Sequence, residues 1–145
     1  MIEFSKPISI RWSDIDPNFH LRHSAYYDLG AQLRTDILDS LGITLSTMQE
    51  NNFGPVLFRE ECVFAMEIRP SDKVTINMKL RRLKNDHSRF SVQHEFVKDD
   101  GTICATLVID GAWMDTQARK LSPPPQMGID AVNAFPKTKD FEQVA

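Results

Sequence analysis

A single helical repeat stands near the start of the chain, and strand-like repeats follow it. Apolar residues recur at steps of three and four, as on one face of an α-helix, at Tyr26, Leu29, Leu33, Ile37 and Leu41. Ser24 stands at the position of an N-cap, and Gly42 stands where a left-handed residue ends a helix. The pattern predicts a helix of about five turns. Gly30 and Ala31, in its middle, let a neighbouring backbone come close.

Runs with a period of two residues predict strands. These runs cover 7–13, 56–68, 74–81, 90–96 and 103–114. A polar turn at 84–88 separates two of them, and Asp99-Asp100-Gly101 is a strong hairpin signal between two others. A short helical turn at 46–51 joins the long helix to the strands.

This order of elements predicts an α+β fold, with one long helix packed against an antiparallel sheet of about five strands. A strongly curved sheet wrapped around the helix would make it a hot-dog fold. The same periodicity also fits a cystatin-like or other roll, and it does not distinguish these folds from the hot-dog fold.

The 145 residues have the size of one domain, enough to bury roughly two thirds of the unfolded chain's surface. We therefore expect 1–145 to form a single domain with its core over about 5–124. Pro123-Pro124-Pro125 should end the regular structure, which leaves 125–145 as a short tail.

Composition narrows the class of protein. A net charge of −3 argues against bulk binding of nucleic acid or of an anionic membrane. No apolar run approaches the roughly 20 residues that cross a bilayer, and no signal peptide is recognisable, so we expect a cytoplasmic protein. Cys62 and Cys104 lie in strand-like runs without metal-ligand spacing, which predicts free, buried thiols.

A polar loop before the helix concentrates reactive side chains, namely Asp14, Asp16, Asn18, His20 and His23. A helix N-terminus offers free N–H donors and a partial positive charge, which stabilise negative charge on a carbonyl oxygen. A carboxylate beside it acts either as a nucleophile or as a general base. The two aspartates could instead only cap the loop through Asx turns.

The chain resembles the hot-dog acyl-CoA thioesterases of the 4-hydroxybenzoyl-CoA thioesterase and YbgC type. The resemblance rests on Asp14-Ile15-Asp16-Pro17, His23-Ser24-Ala25-Tyr26, Arg34-Thr35-Asp36-Ile37-Leu38 and Leu41-Gly42-Ile43, and extends loosely over about 5–124. It implies that Asp16 is the catalytic carboxylate and that the backbone N–H of His23 polarises the thioester carbonyl. It also implies a substrate site between two subunits of a homodimer, which in turn could form a tetramer.

The sequence departs from that family at several positions. Many relatives carry a small residue or Gly at Asn18-Phe19, an Asn at Ala25 and, in some cases, a Glu at Ala31. Asn18 and His20 resemble the Asp-x-Asn-x-His turn of other relatives, which implies that the amide and the imidazole help to orient substrate or water. His20 could equally be a solvated loop histidine.

A metal site is the competing chemistry for the loop. Its ligands would be Asp14, Asp16, His20 and His23. Because this spacing is not a metal motif, we expect no metal. His94 stands alone among apolar residues and is expected to be a hydrogen-bonded core or interface residue. Glu60 indicates either a buried acid or a strand bulge or edge.

The phosphates of CoA would need cations. The candidates are Arg81, Arg82, Lys84, Arg89 and Arg119. The same residues could simply form a solvated hairpin that discourages edge pairing. Phe58, with Phe53 and Pro55, is expected to line either an acyl pocket or a dimer seam.

The expected function is hydrolysis of a small or medium acyl-CoA, or of an acyl-carrier-protein thioester, by Asp16. No cofactor is expected, since CoA enters as part of the substrate. Two alternatives stay open: a noncatalytic hot-dog protein that binds acyl thioesters or joins an assembly, and a hot-dog dehydratase.

Overall fold

The computed structural model describes residues 3–145. The helices are α1 (Ala25–Ser40), α2 (Leu45–Glu50) and α3 (Gln126–Asn133). The strands are β1 (Ser5–Pro7), β2 (Phe53–Phe64), β3 (Val74–Asn77), β4 (Lys79–Lys84), β5 (Arg89–Lys98), β6 (Ile103–Asp115), β7 (Lys120–Leu121) and β8 (Lys137–Val144). A 3-10 turn, Trp12–Asp14, precedes α1.

These strands form one sheet around β5, which pairs antiparallel with β6, β3 and β4. β2 and β7 pair with β6, β1 pairs with β3, and β8 runs parallel to β4. Within the described chain β2 pairs with β6 alone, so its other edge is open.

The predicted long helix is confirmed as α1, and Gly42 follows it with φ +85°. Leu33 and Ile37 are buried against the sheet. A Cβ on Gly30 would lie 2.5 Å from Cδ2 of Leu107 on β6. The close approach that Gly30 predicted is therefore present, although a side chain rather than a backbone makes it.

The prediction of a strand over 7–13 is wrong beyond Pro7. The backbone N–H of Arg11 donates to Oδ2 of Asp14 at 2.9 Å. This bond turns the chain into the 3-10 turn, because a local side-chain acceptor replaces a neighbouring strand.

The run predicted over 74–81 is two strands, interrupted at Met78. Its backbone N–H donates to the carbonyl oxygen of Phe4 at 2.9 Å, and β4 then continues beside β5. With this break and the strands near the termini, the sheet has eight strands in the described chain instead of about five.

The expected tail, 125–145, is an integral part of the fold. Pro125 occupies the N-cap of α3, and Ala131 and Val132 are buried. β8 then extends the sheet beside β4, where the N–H of Leu80 donates to the carbonyl oxygen of Pro136 at 2.7 Å. Proline is tolerated at a helix start because its missing N–H removes no intrahelical hydrogen bond there, so the proline run begins a helix here.

Candidate active site

Asp14 holds the polar loop together. It is 3% exposed, and its carboxylate accepts hydrogen bonds from the backbone N–H, Nε and Nη2 of Arg11 at 2.9, 3.2 and 2.9 Å. Nη2 of Arg22 lies 3.5 Å from Oδ1. The hydrogen bond from Arg11 lowers the pKa of Asp14. Because its oxygens are engaged in this clamp, Asp14 serves the structure of the loop.

Asp16 is the carboxylate that remains near the surface, with its side chain 20% exposed. Oδ1 accepts hydrogen bonds from the backbone N–H groups of Asn18 at 2.9 Å and His20 at 3.3 Å, while Oδ2 lies 2.8 Å from Nδ1 of His20. The loop therefore fixes the orientation of this carboxylate and sets an imidazole against it. Asn18 makes its contact through the backbone.

Glu67 continues this line of polar groups. Its Oε2 lies 4.0 Å from Nε2 of His20, so each ring nitrogen of the imidazole faces a carboxylate. Sequence analysis missed Glu67 because it stands after β2 without any motif. The arrangement Asp16, His20, Glu67 offers a path for moving a proton away from a reacting water.

The N-terminus of α1 keeps free donors beside this loop. Ser24 has the predicted N-cap position, but its side chain does not cap the helix; its hydroxyl accepts a hydrogen bond from Nη1 of Arg22 instead. Within residues 3–145, the backbone N–H of His23 meets no acceptor. His23 is also exposed, so its N–H is available to an oxygen atom of a ligand.

A second polar cluster lies deeper, between α1 and the sheet. Nη1 of Arg34 lies 3.0 Å from Nε2 of His94, and Nη2 of Arg34 lies 3.6 Å from Oε1 of Glu60 on β2. His94 is fully buried, as expected of a hydrogen-bonded core residue. Of the two interpretations of Glu60, the buried acid is wrong, since its side chain is 31% exposed. The bulge or edge position is confirmed, since β2 pairs with β6 alone in the described chain and shifts register between Leu57 and Arg59. Only Gly30, one turn before Arg34, signalled this close contact.

The candidate CoA-binding cations separate into two groups. Arg82, Lys84, Arg89 and Phe58 border one surface pocket of about 400 Å³. The guanidinium of Arg89 lies 5.3 Å from the ring centroid of Phe58. Arg81 lies beside this pocket, with Nη1 3.2 Å from Oγ of Ser91.

Arg119 lies elsewhere, in the exposed turn between β6 and β7, with φ +58°. The structure therefore brings together the patch around β4 and β5 and leaves Arg119 outside it.

The described residues form neither a metal-binding cluster nor a membrane-spanning helix. In 3–145, no three His, Cys, Asp or Glu side chains are grouped so that they could hold a metal ion. No helix of this part of the chain is long and apolar enough to cross a membrane.

A sequence profile described as the thioesterase-like superfamily matches residues 10–134. The chain belongs to the thioesterase-like superfamily. The match spans the polar loop, α1, α2 and β2 to β7, as well as α3. A search of curated proteins found no match.

Solved structures share the fold of this superfamily member at low sequence identity. A Staphylococcus aureus protein solved in complex with CoA is 17% identical, with a TM-score of 0.82 over 96% of this chain and 89% of its own. The 1,4-dihydroxy-2-naphthoyl-CoA thioesterase of Synechocystis is 16% identical, with a TM-score of 0.80 over 90% of this chain and 96% of its own. The gentisyl-coenzyme A thioesterase BH1999 is 21% identical, with a TM-score of 0.74 over 88% and 98%. The expected hot-dog fold is confirmed.

Proposed function

We propose that this member of the thioesterase-like superfamily hydrolyses acyl-CoA thioesters, with Asp16 as the catalytic carboxylate. Water adds to the thioester carbonyl carbon, the carbon–sulfur bond breaks, and a free acid and the CoA thiol leave. The observation that carries the proposal is a fixed carboxylate placed in sequence just before a helix N-terminus where, in residues 3–145, the backbone N–H of His23 meets no acceptor.

A general-base role for Asp16 fits its contacts better than a nucleophilic one. Both carboxylate oxygens already accept hydrogen bonds or face an imidazole, which disperses their charge but leaves lone pairs for a water molecule. His20 lies 2.8 Å from Oδ2 of Asp16 and 4.0 Å from Glu67, so His20 and Glu67 can share the proton that Asp16 removes. The backbone N–H of His23 stabilises the oxyanion.

Isotope labelling separates the two roles of Asp16. In a single turnover in ¹⁸O-water, general-base catalysis leaves Asp16 unlabelled and places ¹⁸O in the acid. A nucleophilic route forms an anhydride with Asp16, and ¹⁸O found in the peptide that contains Asp16 would contradict the general-base role.

We infer that two copies pair through the open edges of their β2 strands. Within the described chain this twelve-residue strand has one partner only, and Phe58, Val63 and Phe64 on it are 54%, 60% and 48% exposed. An unpaired edge with exposed apolar side chains is a template for another strand, and a two-fold axis pairs it with itself. Sedimentation should show a dimer that Val63→Glu dissociates.

The activity is tested with aliphatic and aromatic acyl-CoAs and a thiol-release readout. Asp16→Asn should lower the rate by at least about 100-fold. Asp28→Asn is the matched control, because Asp28 carries the same charge in the first turn of α1 with its side chain 72% exposed. Binding without turnover by the unaltered protein would favour the noncatalytic alternative. Loss of water from a 3-hydroxyacyl thioester would favour the dehydratase.

A further inference from the structure

An apolar cavity of about 370 Å³ lies between the second half of α1 and the sheet. Its volume falls within the roughly 300–1,000 Å³ of ligand pockets. The cavity is open to the surface, since the exposed residues Ala31 and Leu57 are part of its lining. A ligand can therefore reach it from solvent.

The lining of the cavity is almost entirely apolar. Arg34, Thr35 and Asp39 are its polar residues, and all three lie on α1. The wall opposite α1 includes Val92 and Ile109, while Met48 of α2 and Val132 of α3 line it from the two other helices. Asp16 is not among the lining residues, so the carboxylate that serves this cavity would come from the second copy of the proposed dimer.

The cavity opens toward the free edge of β2. Leu57, 44% exposed, borders both the cavity and a shallow groove that Tyr27, Phe58 and Glu60 also line. Ala31, one turn after Tyr27, is exposed and lines the cavity itself. A chain-like ligand can therefore enter between α1 and β2.

The charges around the cavity disfavour an anionic ligand. Glu60 already compensates Arg34 at 3.6 Å, and Asp39 on the lining adds a negative charge. A carboxylate at the far end of a ligand's chain would lie beyond Arg34, among apolar side chains, where desolvation of a charge is costly.

We propose that this cavity binds the acyl group of the thioester substrate and that it selects uncharged, apolar tails over tails that end in a carboxylate. The inference rests on the proposed hydrolysis for the identity of the thioester, and it deepens that proposal by naming the class of acyl group.

Tryptophan fluorescence reports on the cavity directly. The chain has two tryptophans, of which Trp113 lines the cavity and Trp12 is 94% exposed. In the double variant Trp12→Phe/Asp16→Asn, Trp113 is the sole tryptophan, and the loss of Asp16 prevents turnover. Octanoyl-CoA should change its emission in a saturable way, octanedioyl-CoA should bind at least about tenfold more weakly, and CoA alone should leave the emission unchanged.

A matched pair of variants tests the location. Ala31→Phe fills the mouth from an exposed position of α1, and should weaken octanoyl-CoA binding at least about tenfold. Gln32→Phe makes the same addition one residue later, outside the cavity lining, and should leave binding unchanged. Circular dichroism shows whether each variant folds. The affinity of the protein that keeps Ala31 and Gln32 for acyl-CoAs with different tails gives a measurement that does not depend on these variants.

The outcomes separate this inference from the proposed function. Saturable, Ala31-dependent binding in a protein that never releases thiol supports the cavity assignment and overturns hydrolysis. The cavity assignment is overturned, and hydrolysis still stands, if three results occur together. The hydrolysis rate is the same in Ala31→Phe, it is the same for a substrate with a terminal carboxylate, and octanoyl-CoA leaves the Trp113 emission unchanged.

Discussion

Nη1 of Arg34 on α1 donates a hydrogen bond to Nε2 of His94 on β5 across 3.0 Å. An arginine cannot accept, so Nε2 must be the unprotonated nitrogen. Nδ1 then carries the proton and donates a hydrogen bond to the carbonyl oxygen of Asn77 at 2.9 Å. This bond pair fixes the tautomer of His94 and ties the central helix to the sheet.

Acid should destabilise the protein through His94. Burial, followed by the charge of Arg34, lowers the pKa of His94 from its ordinary value of 6.5 to about 4. As pH falls from about 6.5 to about 4, the unfolded chain binds a proton that the folded chain does not, so stability is lost in that range. The loss is on the order of 3 kcal/mol. Urea unfolding at several pH values measures it.

His94→Asn is the control for this pH dependence. The variant should be less stable at every pH, because Arg34 and Asn77 lose their partner, but its stability should fall less between pH 6.5 and 4. Parallel pH curves for the two proteins would show that His94 is not responsible.

Gly30→Ala should destabilise the fold, although alanine favours a helix. The new Cβ would lie 2.5 Å from Cδ2 of the buried Leu107 and 3.3 Å from Cδ2 of His94. Overpacking of this kind costs about 1–3 kcal/mol, more than the roughly 1 kcal/mol gained in helix propensity. In Gly54→Ala the nearest side-chain atom, Cγ2 of Thr116, is 3.9 Å away, so chemical denaturation should show little change.

We propose that the pocket lined by Arg82, Lys84 and Arg89 binds the phosphates of CoA. Arg89→Ala should then weaken the binding of CoA about tenfold, because it removes a guanidinium that can pair with a phosphate. Arg119→Ala should have no effect, since Arg119 lies outside the pocket that Arg82, Lys84 and Arg89 share. Isothermal titration with CoA checks both variants without relying on turnover. Equal losses in the two would argue against this pocket as the phosphate site.

Mixing two impaired variants should restore activity if the site is shared between copies, provided that the substrate concentration is low enough for weaker binding to lower the rate. The ring of Phe64, at the end of β2, lies 5.0 Å from that of Tyr26 near the start of α1, whereas Leu57, nearer the start of β2, borders the cavity. Antiparallel pairing of two β2 strands sets the end of one beside the start of the other. Asp16 of one copy would then serve the cavity of its partner.

The experiment unfolds and refolds Asp16→Asn together with Ala31→Phe. Random pairing leaves one intact site in half of the dimers, so the mixture should regain roughly a quarter of the unaltered rate. A mixture that stays inactive would place the carboxylate and the cavity of each site in the same copy.

Much of the architecture was readable from local patterns. The three- and four-residue steps around Leu33 and Ile37 predicted α1, and Asp99-Asp100-Gly101 predicted the hairpin between β5 and β6. Both signals lie within a few residues of the structure that they specify. The prediction of the first strand was wrong because another local interaction acted there. The hydrogen bond from Arg11 to Asp14 outweighed the alternation of apolar and polar residues.

The sequence by itself determined the central helix, the alternating strands and the crowded loop around Asp16, because helix periodicity, strand alternation and turn chemistry act between near neighbours. Only the tertiary structure decided that Arg34 meets His94, that Phe58 joins Arg82 and Arg89 at one pocket, and that β8 pairs with β4. These contacts join residues far apart in the chain, and packing of the whole sheet against α1 selects them.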